Sequence, residues 1–195
     1  MSVGLLGGAF DPPHNGHLAL ADEAVRQFQL ERLVVLPTGS PPHKQTYTDP
    51  WARFRLAASA FEGRPNVQLS AHELEREGLS YTVDTVRWAS AIWPDPIFLV
   101  GADEFADYLA WKEPNGVLEH ARLGVATRPG FPRERLELVL RELERPDRVE
   151  FFTIPEIPIS SREIRERVRR GEPIHELVPE TVVRAIRQAG LYRSG

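Results

Sequence analysis

The chain has 195 residues, with 24 Lys+Arg against 28 Asp+Glu (formal net charge −4), 42% hydrophobic and 27% charged residues. That length suits one domain with its own core, and the composition is far from that of a disordered chain. The mild acidity argues against binding to nucleic acid or a membrane surface, both of which favour a basic excess, and the absence of cysteine removes disulfides, thiolate nucleophiles and Cys-based metal sites.

Val3-Gly4-Leu5-Leu6 reads as a buried strand ending at Gly7-Gly8. Apolar residues at Leu18, Leu20, Ala21, Ala24, Val25 and Phe28 predict an amphipathic helix from Gly16 to Gln29. Leu33-Val34-Val35-Leu36 is a second buried strand, stopped by Pro37, and an aperiodic loop runs on to about Asp49. Pro50 suits the first turn of a helix carrying Phe54, Leu56, Ala57, Ala60 and Phe61. Val67-Gln68-Leu69 predicts a third strand, Thr82 to Ala91 a helix, and Pro96 to Val100 a strong strand ending at Gly101. Strands over Arg122–Thr127 and Val149–Ile154 flank a charged helix from Pro132 to Glu144. Helices from Ser161 to Arg169 and from Pro179 to Ala189 finish the chain, the last stopped by Gly190.

Strand and helix alternate, and the strands are near-continuous apolar runs. That pattern predicts an α/β, Rossmann-like doubly wound parallel sheet with helices on both faces, in a single domain over residues 1–195. The N-terminus lacks the signature of a signal peptide, and no apolar run approaches ~18 residues. A soluble cytoplasmic protein is expected. Ligands of such sheets sit beyond the carboxyl ends of the strands, and three loops stand out there.

The first is Gly7-Gly8-Ala9-Phe10-Asp11-Pro12-Pro13-His14-Asn15-Gly16-His17. Paired glycines admit a ligand close to the backbone, the following helix N-terminus offers N–H groups to phosphate, and His14 and His17 share a face. The turn is neither a Walker loop nor a Gly-x-Gly-x-x-Gly fingerprint. Capping residues and a metal site are the rival readings of the two histidines. The second loop is Gly39-Ser40-Pro41-Pro42-His43-Lys44, stiffened by its proline pair; Lys44 and Lys112 are the chain's only lysines. Lys44 reads either as a ligand-facing cation or as a solvated loop residue. The third is Ile159-Ser160-Ser161-Arg162-Glu163-Ile164-Arg165. Its hydroxyls, N–H groups and Arg165 guanidinium can cradle polyphosphate, although Ser-x-x-Glu is also an ordinary capping box.

Together the first and third loops resemble the nucleotidyltransferase superfamily that moves adenylyl groups from ATP to phosphate-bearing acceptors. Pro-Pro-His-Lys, Glu77-Gly78-Leu79-Ser80-Tyr81-Thr82, Gly101-Ala102-Asp103, Trp111, Arg128-Pro129-Gly130 and Gly190-Leu191-Tyr192 resemble, in order along the chain, the bacterial nicotinate-nucleotide adenylyltransferases. Ala9 stands where such families often carry Thr or Ser, and Arg162 where they carry Thr.

The resemblance implies transfer of the adenylyl group from ATP to nicotinate mononucleotide in NAD biosynthesis, with Mg²⁺ carried on the polyphosphate. It implies roles in catalysis for His14, His17, Lys44 and Arg165. ATP contacts are implied at Gly8, Phe10, His14, His17, Gly101, Asp103, Ser160, Ser161 and Arg165, and mononucleotide contacts at Gly8, Ala9, Lys44, Tyr81, Thr82 and Trp111. No metal ligand among the side chains, no nucleic-acid partner and no membrane partner is expected, and the oligomeric state is open. A transferase of the same superfamily acting on phosphopantetheine or nicotinamide mononucleotide, and a non-catalytic nucleotide sensor, are the alternatives.

Overall fold

The computed structural model describes residues 1–42 and 45–193; Lys44, and with it the expected role of that cation, lies outside them. Six strands form one sheet: β1 (Val3–Gly8), β2 (Arg32–Pro37), β3 (Val67–Leu69), β4 (Ile97–Gly101), β5 (Arg122–Thr127) and β6 (Val149–Thr153). Their order is β3-β2-β1-β4-β5-β6 and every pairing is parallel. This is the Rossmann-like doubly wound arrangement. The chain winds outward from β1 to β3, returns to pair β4 with β1, then winds the other way. The carboxyl ends of β1 and β4 therefore flank the switch point, where side chains from both halves of the chain can meet one ligand.

Alternation along the strands sorts the core into two halves. Leu6, Leu33, Val35, Ile97 and Leu99 face one side. There α1 (Asn15–Gln27), α2 (Pro50–Phe61), α8 (Ser161–Arg170) and α9 (Glu180–Gln188) contribute Leu18, Leu56, Ile164 and Ile186. Leu5, Val34, Leu36, Phe98 and Val100 face the other side, covered by α4 (Thr82–Ser90), α5 (Ala102–Ala106), α6 (Pro114–His120) and α7 (Arg133–Glu142). Each such side chain contributes about 1.5–3 kcal/mol when fully buried, so the period of two along every strand holds the register.

The helix ends follow local chemistry. Asp49 caps α2, its Oδ1 accepting from the Trp51 and Ala52 N–H groups at 3.0 and 3.1 Å, with Pro50 in the first turn as its fixed φ favours. Ser160 caps α8 by accepting from the Glu163 N–H at 3.1 Å. The Glu163 carboxylate turns instead to Arg167 at 2.8 Å, so the expected capping box is half made. Gly171 ends α8 in the left-handed region at φ 71°, where a side chain is disfavoured. Strand and helix limits move by one or two residues from those read in the sequence. Three short helices, α3 (His72–Glu75), α5 and α6, have no counterpart in that reading.

Candidate active site

The first loop leaves β1 at Gly8 and crosses the switch point before entering α1. Phe10 adopts a left-handed backbone, φ 49°, with its ring 1% exposed. Such a conformation strains a bulky residue and is held by its surroundings. The Phe10 ring meets Phe61 and His17 edge-on at 6.2 and 5.1 Å, so the strained turn also braces one of the two histidines.

His14 is the N-cap of α1, and its backbone N–H donates to His17 Nδ1 at 3.1 Å. This bond makes Nδ1 an acceptor, so the neutral His17 ring carries its proton on Nε2 and offers that atom as a donor. The two rings lie 3.8 Å apart between centroids. Both histidines are partly exposed. Asn15, between them, is used as an anchor: its backbone and side-chain N–H groups donate to Leu177 and Glu176 carbonyls at 2.9 and 3.0 Å.

The start of α8 docks onto this loop. Ser161 Oγ donates to the Pro12 carbonyl at 2.8 Å, and Arg165 Nη1 donates to the Asp11 carbonyl at 2.6 Å. The Arg165 guanidinium also lies over the Tyr47 ring, 4.2 Å from its centroid. The first and third loops are thus one unit, joined across about 150 residues of sequence by backbone carbonyls that accept from α8. A cleft of ≈ 330 Å³ opens beside the junction, lined by Tyr47, Arg162, Arg165, Glu166 and Arg169. Arg162 is exposed on its rim and pairs with Glu166 one turn along the helix at 2.9 Å.

Asp11 ties down a third segment. One of its oxygens accepts from the Tyr47 N–H and the other from the Tyr192 hydroxyl, both at 2.6 Å. Burial, with the adjoining Asp11 carboxylate, pushes the Tyr192 hydroxyl well above the usual phenol range, so it remains a donor. The C-terminal Gly-Leu-Tyr therefore acts as a strap over the first loop.

The other side of the switch point carries Gly101, the N-cap of α5, and exposed Asp103, which pairs with Arg128 at 3.1 Å. Trp111 packs against Phe98 and Tyr108 at 6.3 and 5.1 Å between centroids. Lys112 reaches back over the Tyr81 ring at 4.5 Å and to Asp84 at 3.7 Å. Trp111-Lys112 and the start of α4, 30 residues apart, are thereby adjoining. Tyr81 caps α4 without a side-chain hydrogen bond; the Asp84 N–H donates back to the Tyr81 carbonyl at 3.1 Å, and the Thr82 and Val83 N–H groups precede the first intrahelical bond. Lys112 shares Asp84 with Arg76 and Arg87, each at 3.5 Å.

Gly8, Ala9, Phe10, His14, His17, Ser160, Ser161 and Arg165 therefore gather at one junction, and Tyr81, Thr82 and Trp111 gather at another. Asp11, Tyr47, Arg53, Glu73 and Tyr192 were not assigned roles from the sequence. Asp11 and Tyr192 lie inside quoted motifs, which was the available signal; Arg53 is one of 22 arginines and carried none.

A parallel sheet with a histidine-bearing helix N-terminus and an arginine helix at its switch point defines a phosphate-handling nucleotide protein. Residues 5–167 match the cytidylyltransferase-like family model. The "Probable nicotinate-nucleotide adenylyltransferase" of Desulfitobacterium hafniense (strain Y51) is 40% identical over 98% of this chain and 95% of its own length. The protein of the same description from Thermus thermophilus is 39% identical over 99% and 100%. The solved Plasmodium falciparum nicotinic acid mononucleotide adenylyltransferase complexed with NaAD shares the fold, with a TM-score of 0.80 at 18% identity, over 98% of this chain and 97% of that one. The chain belongs to the cytidylyltransferase-like family and, within it, to the nicotinate-nucleotide adenylyltransferases.

Proposed function

We infer that this chain transfers the adenylyl group of ATP to nicotinate mononucleotide, giving nicotinate adenine dinucleotide and pyrophosphate in NAD biosynthesis. The observation that carries this reading is the docking of α8 onto the His14–His17 turn through Arg165 and Ser161, which gathers donors for a triphosphate at the switch point. The near full-length relatives supply the acceptor.

In this reaction a 5′-phosphate oxygen of the mononucleotide attacks the α-phosphorus of ATP as the bond to the β-phosphate oxygen breaks. The attacking oxygen is already anionic, so no protein nucleophile or general base is needed. Catalysis is alignment of two anions and stabilisation of charge on the α-phosphate and the leaving pyrophosphate. His17 Nε2–H and His14 donate to the phosphates. Arg165, Ser160 and Ser161 hold the outer phosphates, and the family resemblance assigns Lys44 a part in catalysis. Gly8 and Phe10 shape the nucleotide side of the loop. Gly101 and Asp103 adjoin the adenosine, Ala9, Tyr81 and Thr82 the acceptor, and Trp111 stacks on its pyridine ring.

Mg²⁺ carried in on ATP would neutralise phosphate charge. The donor set fits an ion held by phosphate and water: the loop's carboxylate, Asp11, has both oxygens engaged by Tyr47 and Tyr192. Among the described residues no helix is long and apolar enough to cross a membrane. We place the reaction in the cytoplasm, on one domain spanning the chain.

Arg165→Ala should raise the KM for ATP and weaken product inhibition by pyrophosphate more than it raises the KM for the mononucleotide. Arg162→Thr should be tolerated, because its side chain is exposed and solvent screens its pair with Glu166. Steady-state kinetics of both variants check this; equal damage from the two would put Arg162, not Arg165, on the phosphates. The function itself is tested by incubating the protein with ATP, Mg²⁺ and nicotinate mononucleotide. The dinucleotide should appear by mass with one pyrophosphate per dinucleotide, and absence of that product refutes the assignment.

A further inference from the structure

Two charged side chains are buried behind the proposed acceptor site and have no part in the chemistry above. Arg53 is 0% and Glu73 6% exposed. They grip the same residue, Gly39, from opposite sides. Arg53 Nη2 donates to the Gly39 carbonyl at 3.0 Å, while its Nη1 and Nε donate to the Ala9 and Thr48 carbonyls at 2.8 and 3.2 Å. One guanidinium thus ties the loop after β1 to both ends of the loop after β2. On the other side, the Gly39 N–H and the Ser80 hydroxyl face the Glu73 carboxylate, and Thr85 Oγ1 donates to Glu73 Oε1 at 2.7 Å. Gly39 also packs directly onto the Glu73 backbone carbonyl, leaving no room for a side chain.

Glu73 therefore stands between the two segments that bound the acceptor. One is the Gly39–Pro42 stretch leading to Lys44; the other is the Ser80-Tyr81-Thr82 entry to α4. A short ladder closes the gap beside it, with the Ser80 N–H donating to the Ser40 carbonyl at 2.8 Å and the Ser40 N–H to Ser80 Oγ at 3.2 Å. A buried carboxylate is a costly way to fill space, and apolar side chains of similar volume often serve stability as well or better. What it adds is fixed geometry: Oε1 accepts from Thr85 on α4, Gly39 of the loop packs onto the backbone carbonyl of the same residue, and Oε2 has no hydrogen-bond partner among the described residues.

We propose that Glu73 is a positioning residue of the acceptor site, setting the spacing between the loop after β2 and the first turn of α4, while Arg53 passes that register to the phosphate loop through Ala9. The proposal rests on the acceptor site described under the proposed function. Burial drives the Glu73 carboxyl above its ordinary range, and Thr85, Ser80, Arg76 and Gly39 oppose that rise without cancelling it.

The test is Glu73→Gln, which keeps an oxygen for Thr85 but sets an NH₂ against the Gly39 N–H and the Ser80 hydroxyl. The KM for nicotinate mononucleotide should rise about tenfold and that for ATP less than about twofold, since misplacement by a fraction of an ångström acts on the misplaced partner. In the free protein, hydrogen exchange at the Gly39 and Ser80 amides should quicken by about tenfold, with β1 and β4 amides unchanged. Thr85→Val should shift both readings in the same direction by less, and Thr85→Ser should restore them; this pair serves should Glu73→Gln fail to fold.

A lowered melting temperature with both KM values unchanged would make Glu73 a core residue only, and an equal rise in both KM values would remove its link to the acceptor. Unchanged exchange at Gly39 and Ser80 in Glu73→Gln and Thr85→Val overturns the clamp whatever the enzyme adenylylates. Quickened exchange in a protein that uses another mononucleotide would leave the clamp standing and revise only the acceptor.

Discussion

His17→Ala lowers kcat by at least ~100-fold, because removing one donor preorganised for developing oxyanion charge costs about 2.7–4 kcal/mol. The His14 N–H bond to Nδ1 at 3.1 Å leaves Nε2 as the donor, and the edge-on Phe10 ring at 5.1 Å braces the imidazole. Alanine also removes the cap bond, a loss of about 0.5–1.5 kcal/mol, so the fall in rate must be separated from a fall in stability. His17→Asn does this. Its amide oxygen can stand where Nδ1 accepts the cap N–H, but it places no donor where Nε2 lies. The expected result is a near-parental melting temperature with kcat still down by roughly 100-fold. His14→Ala should follow the same direction more weakly. Near-normal kcat in His17→Asn, with a lowered melting temperature in His17→Ala, would make the histidine a structural cap.

The second large effect concerns the acceptor. Nicotinate and nicotinamide mononucleotides are nearly isosteric, so shape cannot separate them; one ends in a carboxylate and the other in an amide carrying two N–H donors. The start of α4 is a donor surface, since Tyr81 leaves the first-turn N–H groups uncapped by any side chain, and the helix dipole there favours an anion. Lys112 over Tyr81 adds a cation beside that surface, although it shares Asp84 with Arg76 and Arg87, and Arg87 also pairs with Glu113. Two charge-assisted bonds at about 1.5–3 kcal/mol each predict that kcat/KM favours the nicotinate form by at least ~100-fold. Trp111→Ala should lower the use of both acceptors together, because the indole meets the ring they share. Equal kcat/KM for the two would overturn the acid-specific reading and leave adenylyl transfer in place.

Much of this architecture was legible in the sequence. Six apolar runs with a helical period between them predicted the parallel sheet, and Gly8 and Gly101 marked the strand ends that frame the switch point. The histidine turn and the Ser-Ser-x-x-x-Arg helix were readable because their chemistry is local: caps, glycine turns and residues one helical turn apart. The helices α3, α5 and α6 escaped because segments of four, five and seven residues hold too few turns to show a period.

The ties between loops escaped for a different reason. Tyr192 meets Asp11 across 181 residues, and Arg53 meets Ala9 across 44. Nothing in a local window distinguishes Arg53 from a solvated helix arginine. Its burial is decided by the Ala9, Gly39 and Thr48 carbonyls that the fold turns toward it. Ser161 shows the converse: it read as a phosphate ligand, and its hydroxyl is already donating to the Pro12 carbonyl, which ties α8 to the first loop.

Adenylyl transfer to nicotinate mononucleotide at the junction of the His14–His17 turn with α8 can be put to a competition in one vessel. ATP labelled at its α-phosphate is offered with Mg²⁺ and equimolar nicotinate mononucleotide, nicotinamide mononucleotide and phosphopantetheine, and the labelled products are separated and identified. Label should appear in nicotinate adenine dinucleotide, matched by pyrophosphate, with every other adenylylated product at least ~100-fold scarcer. Label accumulating on phosphopantetheine, or ATP bound by the protein without transfer to any acceptor, would contradict it.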